Sequence, residues 1–149
     1  MQHRNGDLFT TDAKIIAHGA NIKGVMGAGV AKTIKEKFPA NFKFYKHVCD
    51  VGLAVPGEFT GVPDRGVVIL NLYTQDNPGA NARYEWVFAS VMDFFRFYSP
   101  TEKAWGTTIA IPEIGSGIGG LEWPKVEQLL LAAEAIYPEF EFEVWHYEG

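Results

Sequence analysis

The stretch that decides the fold is Ile15-Ile16-Ala17-His18-Gly19-Ala20-Asn21-Ile22-Lys23-Gly24-Val25-Met26-Gly27-Ala28-Gly29-Val30-Ala31-Lys32-Thr33-Ile34-Lys35-Glu36-Lys37-Phe38-Pro39. A short apolar run ends at His18 and Asn21, a loop with Gly24, Gly27 and Gly29 follows, and an Ala/Val/Ile pattern interleaved with lysines runs to Pro39. That order predicts strand, glycine loop, helix. Closely spaced glycines let loop N–H groups turn inward and approach a ligand, and a helix starting near Ala28 adds its free N–H groups and positive end. The chemistry suits a phosphate or diphosphate, although three glycines also suit a simple tight turn.

Working outward toward the N-terminus, Gly6-Asp7-Leu8-Phe9 is a brief opening, and Thr10, Thr11 and Asp12 supply turn or cap residues before a strand over 14–20. Asp7 reads either as a turn carboxylate or as an acceptor for a purine amino group. Toward the C-terminus, helices are predicted over 28–38 and 40–50, with Pro39 between them. Phe42 and Tyr45 are read as core. A turn-rich segment follows, with a short edge strand over 58–62. The run from Val67 to Leu72 predicts a strand covered on both faces, leading into the polar loop Tyr73-Thr74-Gln75-Asp76-Asn77. Apolar residues at helical spacing predict a helix over 82–97, and 107–112 a further strand. The loop after it, Glu113-Ile114-Gly115-Ser116-Gly117-Ile118-Gly119-Gly120-Leu121, is a second glycine-rich one before a helix that begins at Trp123-Pro124. Alternation over 140–147 predicts a terminal strand.

Strands separated by helices give an α/β fold of three layers, a mixed central β-sheet flanked by helices on both faces. At 149 residues the expectation is a single domain, 1–149. Two glycine loops, each after a strand and before a helix, converge on one edge of the sheet and favour a nucleotide-like ligand. The net charge of -5 argues against extensive nucleic-acid binding, but not against a small anion held by backbone N–H groups. The single cysteine, Cys49, excludes an internal disulfide and fits a reducing compartment. With no signal-like segment and no membrane-length apolar run, the expected location is cytoplasmic, without a membrane partner. His3, His47 and His146 show no zinc-like spacing, so neither metal nor cofactor is expected.

These features together resemble a macro domain: Gly6-Asp7-Leu8-Phe9, then Ile16-Ala17-His18-Gly19-Ala20-Asn21 into Gly27-Ala28-Gly29-Val30-Ala31, then Ile111-Pro112 into Ile114 to Trp123. The likeness is to the small stand-alone branch with yeast and phage ADP-ribose 1''-phosphate phosphatases and the terminal ADP-ribose glycohydrolase acting on protein glutamate esters. The resemblance implies ADP-ribose or its 1''-phosphate as ligand, or an ADP-ribosylated protein or nucleic-acid end. It assigns Asp7 with Leu8 to adenine, Asn21 to the distal ribose, and Gly27, Ala28, Gly29 and Val30 to that ribose and the first phosphate. Gly115, Ser116, Gly117, Ile118 and Gly119 fall to the loop that wraps the diphosphate, and Tyr73 to the ribose's surroundings.

For catalysis, the resemblance offers two arrangements. The glycohydrolase lysine after the central strand is missing, since Leu72-Tyr73-Thr74-Gln75 stands there, and Gly119 replaces its second-loop aspartate. The phosphatase-like pair is met by His18 and, with a glutamate where an aspartate is expected, by Glu122. The expected activity is hydrolysis of ADP-ribose 1''-phosphate, with His18 as general acid or base and Glu122 orienting water or the histidine. Two alternatives stand beside it: a non-catalytic ADP-ribose binding module, and a hydrolase that removes ADP-ribose from a macromolecule. A purely structural His18 bonded to backbone is the competing reading of that residue.

Overall fold

The computed structural model describes residues 1–147. Six strands form one sheet: β1 (Gln2–Asn5), β2 (Ile15–Ala20), β3 (Phe59–Asp64), β4 (Val67–Tyr73), β5 (Thr108–Pro112) and β6 (Glu141–His146). Their spatial order is β1-β6-β5-β2-β4-β3, with every neighbouring pair parallel except β3 against β4. The parallel pairs need crossovers, which the helices α1 (Gly29–Lys37), α2 (Pro39–Asp50), α3 (Tyr84–Tyr98) and α4 (Trp123–Ile136) help to supply. The antiparallel pair needs only the turn at Arg65-Gly66, where both residues take positive φ.

Strand alternation sorts the side chains of β2 and β4 into two cores. Ile15 and Ala17 face one way with Val68, Leu70 and Leu72, against the buried stripes of α3 (Val87, Val91, Phe94, Phe95) and α4 (Val126, Leu130, Ala133). Ile16 and Ala20 face the other way with Ile69 and Tyr73, beneath Ile34 of α1 and Tyr45 of α2. The sheet is covered on both faces, and the architecture is the three-layer α/β sandwich that the apolar runs predict.

Element boundaries follow local chemistry. Pro39 sits in the first turn of α2, where its missing N–H costs nothing, and Phe38 before it is extended enough to end α1. Pro124 plays the same part in α4. Phe42 and Tyr45 pack into the core as expected, Tyr45 fully buried. The N-terminal strand β1 (Gln2–Asn5) is an element that the sequence pattern does not predict. All four of its side chains are exposed, so it carries no apolar alternation to read, and it forms by pairing its backbone with β6.

Candidate functional site

Parallel strands β2, β4 and β5 end on the same edge of the sheet, where open α/β sheets place their ligand crevices. A cavity of about 430 Å³ lies there, walled by both glycine loops and the loop after β4. From the first loop come Asn21, Val25, Gly27, Ala28, Gly29, Val30 and Ala31; from the second, Glu113, Ile114, Gly115, Ser116, Ile118 and Gly119. Thr74, Gln75, Pro78 and Gly79 form the third wall, and His18, Gly19 and Ala20 contribute from the end of β2. Among the described residues, no lysine or arginine lines it.

Helix α1 opens on this cavity. Its N-cap, Ala28, has no side chain able to satisfy the free N–H groups of the first turn, which leaves them for an anion. Across the groove, Ile118 Cδ1 lies 3.5 Å from where a Cβ on Gly29 would stand, so the two glycine loops meet over the cavity. Gly29 has φ +60° and Gly115 φ +76°, conformations that a side chain strains. At Gly115 the Cβ would also stand 2.8 Å from Leu121 Cδ1, because Leu121 folds back and donates its N–H to Gly115 O at 2.9 Å.

Asn21 is buried at the first loop's base, with Nδ2 donating to Val25 O at 2.8 Å and Oδ1 accepting from Lys23 N at 2.9 Å and Tyr45 Oη at 2.8 Å. One Nδ2 hydrogen remains for a ligand. In the second loop, Ser116 N–H and Gly119 N–H donate to Glu113 O and Ser116 O, both at 3.3 Å, long bonds readily exchanged for a stronger acceptor.

His18 is 1% exposed at the cavity floor. Its Nε2 is 2.7 Å from Asn71 Oδ1, while Asn71 Nδ2 donates to Asn41 Oδ1 at 2.9 Å and Thr60 Oγ1 at 3.1 Å. With both amide hydrogens of Asn71 placed and its oxygen also accepting from Asn41 Nδ2 at 3.2 Å, Oδ1 is an acceptor and Nε2 carries the ring's proton. Nδ1 is therefore a lone pair, buried and without a hydrogen-bond partner. Burial lowers the His18 pKa from the usual 6.5 to about 4, only partly opposed by the Asn71 bond. The ring is neutral at physiological pH, a proton acceptor and not an acid. That removes the general-acid half of the role expected of it, and its only side-chain bond is to Asn71.

Thr74 Oγ1 is also buried and unpartnered in this cavity. A Cβ on Gly19 would stand 2.8 Å from it, so the absent side chain of Gly19 is what leaves room for the hydroxyl. Among the described residues, His18 Nδ1 and Thr74 Oγ1 are the two buried side-chain polar atoms left unsatisfied.

Several expected residues stand elsewhere. Glu122 is two-thirds exposed, outside the groove at the N-cap of α4, where Lys125 Nζ at 2.6 Å holds its carboxyl below the usual range. The backfolding of Leu121 carries the chain away from the cavity just before it. Tyr73 is 1% exposed and packs against Tyr45, its hydroxyl 2.9 Å from Thr60 Oγ1. Alternation along β4 puts it on the α2 face with Ile69, not at the mouth of the groove, and burial pushes its pKa up to about 12. Asp7 is exposed and accepts from Phe9 N at 2.9 Å, and Leu8 is buried in the core under α1 and α2, so neither lines the cavity. Gly117, with φ +61° and open space around it, also lies outside the lining.

Sequence reading missed the carboxylate that does reach the rim, Glu113, whose Oε1 is 2.8 Å from His146 Nδ1. It missed Asn71 too, although a lone amide inside the apolar run of β4 is a visible signal. Among the described residues no group of three His, Cys, Asp or Glu side chains is placed to hold a metal ion, and no helix is long and apolar enough to cross a membrane.

A three-layer α/β domain with an uncapped helix and two glycine loops around one crevice is thus the class that the fold and site define. The chain belongs to the macro domain family, whose pattern matches residues 17–130. Over 153 aligned positions covering 100% of the chain it is 30% identical to the DNA ADP-ribosyl glycohydrolase of Mycobacterium tuberculosis, of which it spans only 43%. It is 30% identical to the ADP-ribose 1''-phosphate phosphatase of Candida albicans, with 87% of this chain and 91% of that protein covered. The solved macrodomain of Mycobacterium tuberculosis DarG superposes with a TM-score of 0.87 at 28% identity, covering 97% of this chain and 95% of that one.

Proposed function

We propose that the chain binds ADP-ribose in this groove and hydrolyses ADP-ribose 1''-phosphate to ADP-ribose and phosphate. The observation that carries the reading is the groove itself, a cavity of about 430 Å³ on which the uncapped first turn of α1 and the second glycine loop both open, with His18 among its lining residues. The diphosphate suits the first-turn N–H groups of α1 and the second glycine loop, and Asn21 keeps one donor for the distal ribose. His18 accepts a proton from water, and with Glu122 turned away it works without a carboxylate partner. The named activity and similar length of the Candida relative support this substrate. A second reading, release of ADP-ribose from DNA, is favoured by the mycobacterial relative, which aligns with the whole chain.

Single-turnover phosphate release from ADP-ribose 1''-phosphate tests the first reading. His18→Ala is expected to slow release at least about 100-fold, the usual worth of a positioned proton acceptor, while ADP-ribose affinity changes little. Release at the unaltered rate contradicts the role of His18. ADP-ribose freed from modified DNA without phosphate release moves the assignment to the second reading, and binding without either reaction leaves a binding module.

A further inference from the structure

The net charge of -5 averages over charges that are unevenly placed. From Lys23 to Lys46 stand 6 lysines, at 23, 32, 35, 37, 43 and 46, against one carboxylate, Glu36, a local net of +5. The remainder holds 7 basic and 17 acidic residues, a net of -10. A segment of opposite sign to its chain marks a surface suited to a polyanion.

The fold keeps these cations together. All six lysines are exposed, and their segment is α1, α2 and the loop before them, the layer that covers one face of the sheet. Lys32 and Lys35, three apart, share a face of α1, and Lys43 and Lys46 share one of α2. Lys35 Nζ lies 4.7 Å over the ring of Phe42, which brings the stripe of α1 against α2. The last turn of α2 reaches the first glycine loop: a Cβ on Gly24 would stand 3.6 Å from both Lys46 Cγ and Cys49 Cβ, and Gly24 lies between Asn21 and Val25, which line the groove. The stripe therefore ends at the lip of the groove. Lys46 is tied to Asp50 at 3.0 Å, but among the described residues Lys23, Lys32, Lys35 and Lys43 form no ion pair. Like charges one turn apart work against a helix, so an external anion is what this face lacks.

The kind of polyanion follows from the residue types. The cations are all lysines, point charges that meet phosphates and lack the fork with which arginine reads base edges. Phe44 is exposed one residue after Lys43, a ring on which a base can stack. We propose that the face of α1 and α2 binds the backbone of single-stranded nucleic acid without preference for sequence, and that a strand bearing an ADP-ribosyl group lies along it while that group enters the groove. The first half stands on the placement of the charges; the second rests on the groove reading above.

The test is fluorescence anisotropy of a short labelled single strand of mixed sequence, unmodified, titrated with the full chain. Saturable binding at low salt is expected, with log K falling by about 3 per tenfold rise in salt, as four lysines on four phosphates require. Lys35→Glu with Lys43→Glu should weaken it at least about tenfold. Arg96→Glu, on α3 across the sheet, should leave it unchanged. Calorimetry with ADP-ribose on each variant reports that the fold and the groove are intact. No strand binding, or binding indifferent to the lysine reversals, overturns the proposal. Equal displacement by polyglutamate of the same charge overturns it in favour of an acidic protein partner, and sedimentation with phosphatidylserine vesicles in preference to the strand overturns it in favour of a membrane surface. Strand binding without ADP-ribose binding contradicts the groove reading and upholds the first half alone.

Discussion

At the scale of single residues, the behaviour of His18 comes from its surroundings more than from its residue type. Sequence supplies a histidine at a strand end and its ordinary near-neutral pKa; the fold buries it and gives Nε2 an amide partner 53 residues away. The result is a neutral ring at physiological pH, with a stability consequence of definite sign. An unfolded chain protonates His18 below about pH 6.5, the folded chain only below about pH 4. Between those values the unfolded state holds more protons, so the native state's advantage is complete above about 6.5 and lost as pH falls toward 4. The contribution is about 3 kcal/mol. Urea midpoints taken at pH 7.5 and pH 4.5 should therefore drop steeply for the native chain and less steeply for His18→Gln, whose amide keeps a donor for Asn71. Equal drops contradict this account of His18. The same burial explains why Tyr73 misled: its position at a strand end was legible, but which face of β4 it occupies depended on the alternation continuing through Asn71.

At the scale of elements, the helices and the interior strands were legible because each writes its burial into a period: α3 in Val87, Val91 and Phe94, β4 in its continuous apolar run. The exposed edge β1 has no such period. Both glycine loops were legible as loops, and nine of the thirteen residues assigned to ligand binding line the cavity, among them Asn21, Gly29 and Ile118. What escaped was the path of the chain after the second loop. Leu121 folds onto Gly115, and this sends Glu122 to the surface; a backbone hydrogen bond between residues six apart leaves no trace in spacing. The loop depends on Gly115, where φ is +76° and a methyl group would stand 2.8 Å from Leu121 Cδ1. Gly115→Ala should cost about 1–3 kcal/mol of local strain and weaken ADP-ribose binding at least about tenfold as the loop shifts. Calorimetry with a melting curve checks both, and an unchanged affinity means that the second loop does not hold the ligand.

At the scale of the whole molecule, two cores cover the sheet on both faces, while its candidate functional edge is walled by two glycine-rich loops and the loop after β4. One core buries a ring cluster in which Phe95 and Phe140 stack 4.4 Å apart, and the other packs Tyr45 against Tyr73 under α2. The chain carries a net charge of -5, and among the described residues no lysine or arginine lines the groove, so a diphosphate there would rest on peptide N–H groups and the end of α1. Binding of that kind exchanges few counterions and should depend weakly on salt. The most direct measurement is calorimetric titration of the chain with ADP-ribose at low and at high salt. Saturable binding with one site, little changed by salt and lost when Gly29 is replaced by a bulky residue, is the predicted result. No binding, or binding that vanishes with added salt, contradicts the claim that glycine-loop backbone at the sheet edge receives the diphosphate.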